Sequence, residues 1–206
     1  GVYQTRSIAS DLRENKTEAI RIGAVQSNLV KLDKQSLSLK SHRAHLQQSR
    51  ELLAQGPVDL LIWPETAYVR ALRRPLPLDA QFIRAEIDVP LLFGGTSVWQ
   101  QEGQRVSANS VFLAGADGQV KQVYDKNRLI PFAEFIPSLP ELKFLGVFNN
   151  KLAALYNEAI KRLFPAQQTF LAGTSKRALT LADINISTPI CYEIIHPDYI
   201  RDMVND

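Results

Sequence analysis

Two runs of apolar residues constrain the fold more than any other feature of the chain: Val58-Asp59-Leu60-Leu61-Ile62-Trp63 and Pro90-Leu91-Leu92-Phe93-Gly94-Gly95-Thr96. Neither alternates polar with apolar, so neither suits a strand with one wet face. Both read as strands covered on both sides, as in the parallel part of a layered α/β sheet. The neighbouring segments agree. Ile22, Ala24 and Val25 give a short strand within residues 21–26, and Leu39, Leu46 and Leu53 recur on one face of a helix from about Lys34 to Gln55, which Gly56-Pro57 stops. A second helix fits Leu78 to Ile87. After Thr96 the pattern changes: Ser107 to Leu113 and Val120 to Tyr124 flank Gly115-Ala116-Asp117-Gly118, and Asp-Gly between apolar segments signals a hairpin. The expected class is therefore α/β with a mixed sheet. One domain spans residues 21–206, behind a polar, aperiodic lead-in over residues 1–20.

Charge narrows the function. The net charge is +3, but basic and acidic residues are interspersed and no lysine or arginine block stands out, so nucleic acid is not an implied partner. The single cysteine, Cys191, excludes an intrachain disulfide and must be either buried or used. No uncharged apolar window of about 18 residues is present, and no signal peptide. The chain opens on Gly1 and its only methionine is Met203. It therefore reads as a piece of a longer protein, with any membrane segments outside these residues.

Between the hairpin and the cysteine lie a proline-broken loop, Pro131 to Pro140, and the clearest helical stripe in the chain: Leu152, Leu155, Tyr156, Ala159, Ile160 and Leu163. Two readings of the stripe stand. It packs on the core, or it forms a lid or an element resting on a lipid surface, with Phe144, Phe148 and Phe164 nearby. His42 and His45 sit three apart on a helix and His196 lies far away, with no third ligand near in sequence, so no metal site is expected.

Ala178 to Ile190 is rich in β-branched and aliphatic residues and reads as a strand, and Pro189 and Pro197 bracket Cys191. The cysteine is thus expected at a strand-to-helix elbow. There it is either an exposed nucleophile beside free backbone N–H groups or a small buried hydrophobe. Trp63-Pro64-Glu65 and Tyr124-Asp125-Lys126-Asn127-Arg128 likewise end strands. Together the three segments make a self-consistent set: Glu65 accepts the thiol proton, Cys191 attacks a carbonyl, and Lys126 stabilises the oxyanion. A free thiol is mostly protonated at neutral pH and needs such help. Taken singly, Glu65 and Lys126 also fit ordinary solvated surface charges.

These blocks, with Leu129-Ile130-Pro131-Phe132-Ala133-Glu134-Phe135-Ile136-Pro137 after the lysine and Ile190-Cys191-Tyr192-Glu193-Ile194-Ile195-His196-Pro197 around the cysteine, resemble the signatures of the nitrilase (carbon–nitrogen hydrolase) superfamily. More narrowly, they are similar to its bacterial apolipoprotein N-acyltransferase branch. The resemblance implies a nitrilase-like α-β-β-α sandwich with Glu65 as general base, Lys126 as oxyanion stabiliser and Cys191 as nucleophile. It carries supporting roles onto Glu134, Tyr192 and Glu193, and implies no cofactor. The implied reaction moves a fatty acyl chain from a phospholipid donor, through a Cys191 thioester, to the N-terminal amine of a diacylglyceryl apolipoprotein. The implied setting is the periplasmic face of the bacterial inner membrane, against the membrane surface, with the loop and stripe after Lys126 as a water-excluding lid. The family pattern also includes transmembrane helices ahead of this domain and a further strand after the cysteine helix, so the sandwich is expected to be incomplete at its C-terminus. A soluble nitrilase-type amidase, with water as second nucleophile, and an inactive domain that binds lipid or a partner are the alternatives.

Overall fold

The computed structural model describes residues 20–27, 34–137 and 169–205, with Leu155, Tyr156, Glu158, Ala159, Arg162 and Leu163 between them. The lead-in over residues 1–19, the end of the proline-broken loop and much of the expected helical stripe lie outside the described residues. Within them, the first apolar run forms the strand β2 (Leu60–Ile62), paired in parallel with β1 (Ile22–Ala24) on one side and with β5 (Leu91–Gln101) on the other. β3 (Tyr68–Arg73) lies parallel to the second half of β5, and β5, β6 (Gln104–Ala114), β7 (Gln119–Asp125) and β4 (Leu78–Asp79) continue antiparallel. The seven-stranded sheet is mixed, as the hairpin signal required, with the order β1-β2-β5-β6-β7-β4 and β3 beside β5.

The helix α1 (Lys34–Leu53) covers one face. It comes close because β1 offers Gly23, where a Cβ would collide with Leu52. Phe93 and Phe112 lie stacked beneath this layer, fully buried, with ring centroids 5.3 Å apart. Burying a side chain of that size contributes about 1.5–3 kcal/mol. The buried face of α1 is more polar than its leucine repeat implies, since His45 and Ser49 are buried beside Leu46. Trp63 Nε1 donates to Ser49 Oγ at 2.9 Å, and His45 Nδ1 donates to Ser41 O at 2.8 Å.

His45 Nε2 is buried with no partner among the described residues, and burial holds the imidazole below its usual pKa. A proton there would be a charge without an acceptor. The unfolded chain takes up that proton near pH 6.5 while the native state resists, so stability is expected to fall as pH drops below about 6.5, by at most about 1.4 kcal/mol per pH unit. Urea unfolding of the wild type and of His45→Leu between pH 8 and 5.5 checks this. An equal slope in both proteins would remove His45 as the cause.

The opposite face is covered by the two-stranded hairpin β8 (Leu179–Leu181) and β9 (Ile184–Ile186), by residues 187–190 and by α3 (Pro197–Asn205). Leu179, Ile190, Tyr199 and Met203 from this layer meet Leu60, Leu92, Leu113 and Tyr124 of the sheet. With α1 on one face of the large sheet and the small sheet and α3 on the other, the arrangement is consistent with the expected nitrilase-like α-β-β-α sandwich. Among the described residues no helix is long and apolar enough to cross a membrane.

Two local expectations are corrected. The helix expected over residues 78–87 is confined to α2 (Gln81–Arg84), because Leu78 and Asp79 pair with β7 and Asp79 Oδ1 accepts the Gln81 N–H at 2.8 Å. The strand expected over residues 178–190 folds back on itself at Ala182-Asp183, with Ala182 at φ 51°, and pairs as β8–β9. β3 was not anticipated. In the stripe, Leu155 and Leu163 are 66% and 70% exposed, so at these positions the apolar face is not packed on the core.

Candidate active site

Glu65 sits just past β2. The β2–β5 ladder continues through Trp63 N–H to Leu92 O at 2.8 Å, and Ala67 N–H closes a turn onto Pro64 O at 3.2 Å. This turn rests on Gly94 of β5, where a Cβ would lie 2.7 Å from Glu65 Cα and 2.9 Å from Pro64 O. Only glycine lets the acidic turn approach the sheet so closely. The Glu65 carboxylate Oε1 then accepts Asn109 Nδ2–H at 2.8 Å.

Asn109 ties the acid to the lysine. Its Nδ2 also reaches Glu134 Oε1 at 3.2 Å, and its carbonyl accepts the Lys126 N–H at 2.8 Å. Lys126, 1% exposed, donates from Nζ to Glu134 Oε1 at 2.8 Å. Glu134 is fixed in turn by Ile130 N–H on Oε2 at 2.9 Å, within the tight turn that closes from Glu134 N–H to Ile130 O. A buried lysine needs such a counter-charge, since an unpaired ammonium in the interior is costly. An ammonium carries three donors. Its hydrogen bond to Glu134 is the one that Lys126 Nζ makes among the described residues.

Cys191 occupies the expected elbow. Ile190 is extended (φ −101°, ψ 119°), Cys191 turns to φ 50°, and a 3-10 helix over Cys191–Ile195 leads into α3. A left-handed backbone at a non-glycine residue costs about 1–3 kcal/mol and persists only where its surroundings enforce it. Glu193 enforces it here. Fully buried, it accepts Ile190 N–H on Oε2 at 2.8 Å, and Asn127 and Arg128 N–H on Oε1 at 2.7 and 3.0 Å, with the Tyr124 hydroxyl 2.8 Å from both oxygens. Burial, helped by the hydrogen bond with Tyr199, pushes the Tyr124 hydroxyl far above its usual pKa, so it stays a donor. One carboxylate thus clamps the segment after Lys126 to the elbow that presents the cysteine. The thiol itself is exposed, which overturns the buried-hydrophobe reading. Tyr192 is half out in solvent with its ring edge against His196.

Glu65 and Cys191 line one cavity of about 330 Å³, whose wall also holds Asn109, Thr188, Val111 and Ile190. Lys126 does not line it; it reaches the same network through Glu134. Asn109 escaped the sequence reading. The signal for it is a run of polar residues, Ser107, Asn109 and Ser110, inside a long buried strand, where asparagine is unfavourable unless its amide is used.

The model of the carbon–nitrogen hydrolase family matches residues 21–206. The chain belongs to that family. Among relatives of this carbon–nitrogen hydrolase family member, the apolipoprotein N-acyltransferase of Rhodopseudomonas palustris is 30% identical over 194 residues, covering 88% of this chain and 34% of the relative. That of Rhizobium leguminosarum is 26% identical over 207 residues, covering 96% of this chain and 36% of the relative. The chain thus spans about a third of the length of these curated relatives. Its fold is shared with the crystal structure of a carbon–nitrogen hydrolase from Helicobacter pylori, with a TM-score of 0.55 and 14% identity, over 90% of this chain and 56% of that one.

Proposed function

We propose that this chain is the catalytic domain, over residues 21–206, of an N-acyltransferase that carries a fatty acyl group on Cys191. The observation that carries the reading is the shared cavity, in which a carboxylate and an exposed thiol face the same space. Glu65 takes the thiol proton, the sulfur attacks the ester carbonyl of a phospholipid, and the C–O bond to glycerol breaks as Glu65 returns the proton to the departing alkoxide. The product is a thioester and a lysophospholipid. The amine of a diacylglyceryl apolipoprotein then attacks the thioester, giving its proton to Glu65 and expelling the thiolate, which is reprotonated. Oxyanion stabilisation in both halves is assigned to Lys126 on the motif resemblance; its ammonium lies behind the cavity wall against Glu134, and the role requires it to turn toward the thiol. Glu134, Glu193 and Tyr192 act as supports: Glu134 orients the lysine, Glu193 holds the elbow, and Tyr192 follows the nucleophile at the mouth.

The apolipoprotein acceptor rests on the name of the relatives, while the phospholipid donor and the setting at the periplasmic face of the inner membrane rest on the motif resemblance alone. The apolar side chains exposed around the cysteine, Tyr192, Ile194 and Ile195, with Phe132 of the proline-rich loop, suit a lipid-facing mouth.

Incubating the whole protein with phosphatidylethanolamine is expected to add one acyl mass to Cys191, removable by hydroxylamine and absent from Cys191→Ala. Intact-mass spectrometry reads it. An adduct that persists in the alanine variant counts against the thioester, and free fatty acid released at the same rate with or without the amine acceptor favours an amidase-like hydrolysis instead.

A further inference from the structure

We propose that a second cleft, near the tip of the β5–β6 hairpin, binds a phosphate group. It has a volume of about 330 Å³ and is lined by Arg73, Arg74, Val98, Trp99, Gln100 and Arg105, with no acidic side chain among them. Strand register brings the arginines together. Arg73 of β3 pairs with Val98 of β5, and Arg105 of β6 pairs with Gln100. Val98 and Gln100 are two residues apart, so Arg73 and Arg105 approach one face of β5 from its two flanking strands, with backbones about 12 Å apart. That face also holds Asn109, through its pairing with Thr96. Four residues separate Asn109 from Arg105, so the cleft begins about 13 Å along the hairpin from the candidate active site.

Charge points to the ligand. Arg74 is neutralised by Asp125 and lies over the Trp99 ring, 4.5 Å from its centroid. Its Nε is nonetheless a buried donor without a partner among the described residues. Arg73 and Arg105 form no ion pair among the described residues, so two exposed arginines line the cleft without a counter-charge among those residues. A planar carboxylate meets one guanidinium fork. A tetrahedral phosphate offers oxygens in several directions and can engage forks arriving from both sides. Binding here is independent of the acyl transfer proposed above, and calorimetry reads it without any turnover.

The test titrates the full chain with inorganic phosphate and, separately, with the phosphodiester glycerophosphoethanolamine, at constant ionic strength in sodium chloride. At least one is expected to bind with Kd below about 1 mM. Arg73→Gln/Arg105→Gln is expected to weaken it about tenfold or more, while Lys40→Gln/Arg43→Gln, which removes the same charge from exposed positions on α1, leaves it unchanged. Arg105→Lys, which keeps the charge and loses the fork, gives a second reading that puts little demand on folding, with a loss of about threefold. Preference for the diester identifies a lipid headgroup as the source, and preference for inorganic phosphate identifies free phosphate. Heat from neither probe, or equal losses in the two double variants, overturns the site.

Discussion

Glu193→Ala is expected to destabilise the fold by about 3–5 kcal/mol and to abolish acylation of Cys191, although Glu193 does not line the cavity. The carboxylate takes three backbone N–H groups and the Tyr124 hydroxyl in a fully buried position. Removing it leaves those donors unpaired in the interior, at about 1–3 kcal/mol for each that water does not reach. It also releases the two segments that Glu193 joins, so Cys191 loses its left-handed backbone and Lys126 its fixed approach. Glu193→Gln keeps the shape but turns an NH2 toward at least one donor, and an intermediate loss is expected. Urea unfolding monitored by circular dichroism, beside the intact-mass assay for the acyl adduct, measures both effects. A loss below about 1 kcal/mol for the alanine variant would show that water replaces the carboxylate and that the clamp is dispensable.

Glu65→Gln tests the chemistry without disturbing the frame. The glutamine oxygen still accepts the Asn109 amide, so stability is expected to change by no more than about 0.5 kcal/mol. What disappears is the proposed base. Formation of the Cys191 acyl adduct is expected to slow by about 10²–10⁴-fold, the usual contribution of a positioned general base. Single-turnover mass spectrometry with phosphatidylethanolamine gives the rate. The thiol in Glu65→Gln should also alkylate more slowly with iodoacetamide. If acylation proceeds within about threefold of the wild-type rate, another group removes the thiol proton and the assignment of Glu65 fails.

The outline of the sheet was legible because its signals are local. Val58 to Trp63 and Pro90 to Thr96 are apolar on both faces, and such segments are stable only when covered on both sides, which places β2 and β5 in the parallel interior. The Asp117-Gly118 turn likewise announced the β6–β7 hairpin. Where local signals compete, the reading failed. Leu78 has helical neighbours, yet pairing with Val120 wins because it completes the sheet edge. Residues 178–190 have strand composition throughout, but composition does not say where a chain doubles back, and Ala182-Asp183 carries none of the glycine that marks most two-residue hairpins.

By itself, the order of residues determined which chemical groups this protein has to offer and that each of Glu65, Lys126 and Cys191 follows an apolar segment. It also determined that Cys191 stands at a bend between Pro189 and Pro197. Only the tertiary structure decided which groups meet. Glu65 and Asn109 are 44 positions apart and Tyr124 and Glu193 are 69 apart, and such contacts follow from strand register and layer packing rather than from local propensity. A shift of one residue would send Asn109 to the opposite face of the sheet and Lys126 away from Glu134. Register is set by burial summed over every strand at once, and no single motif encodes that sum.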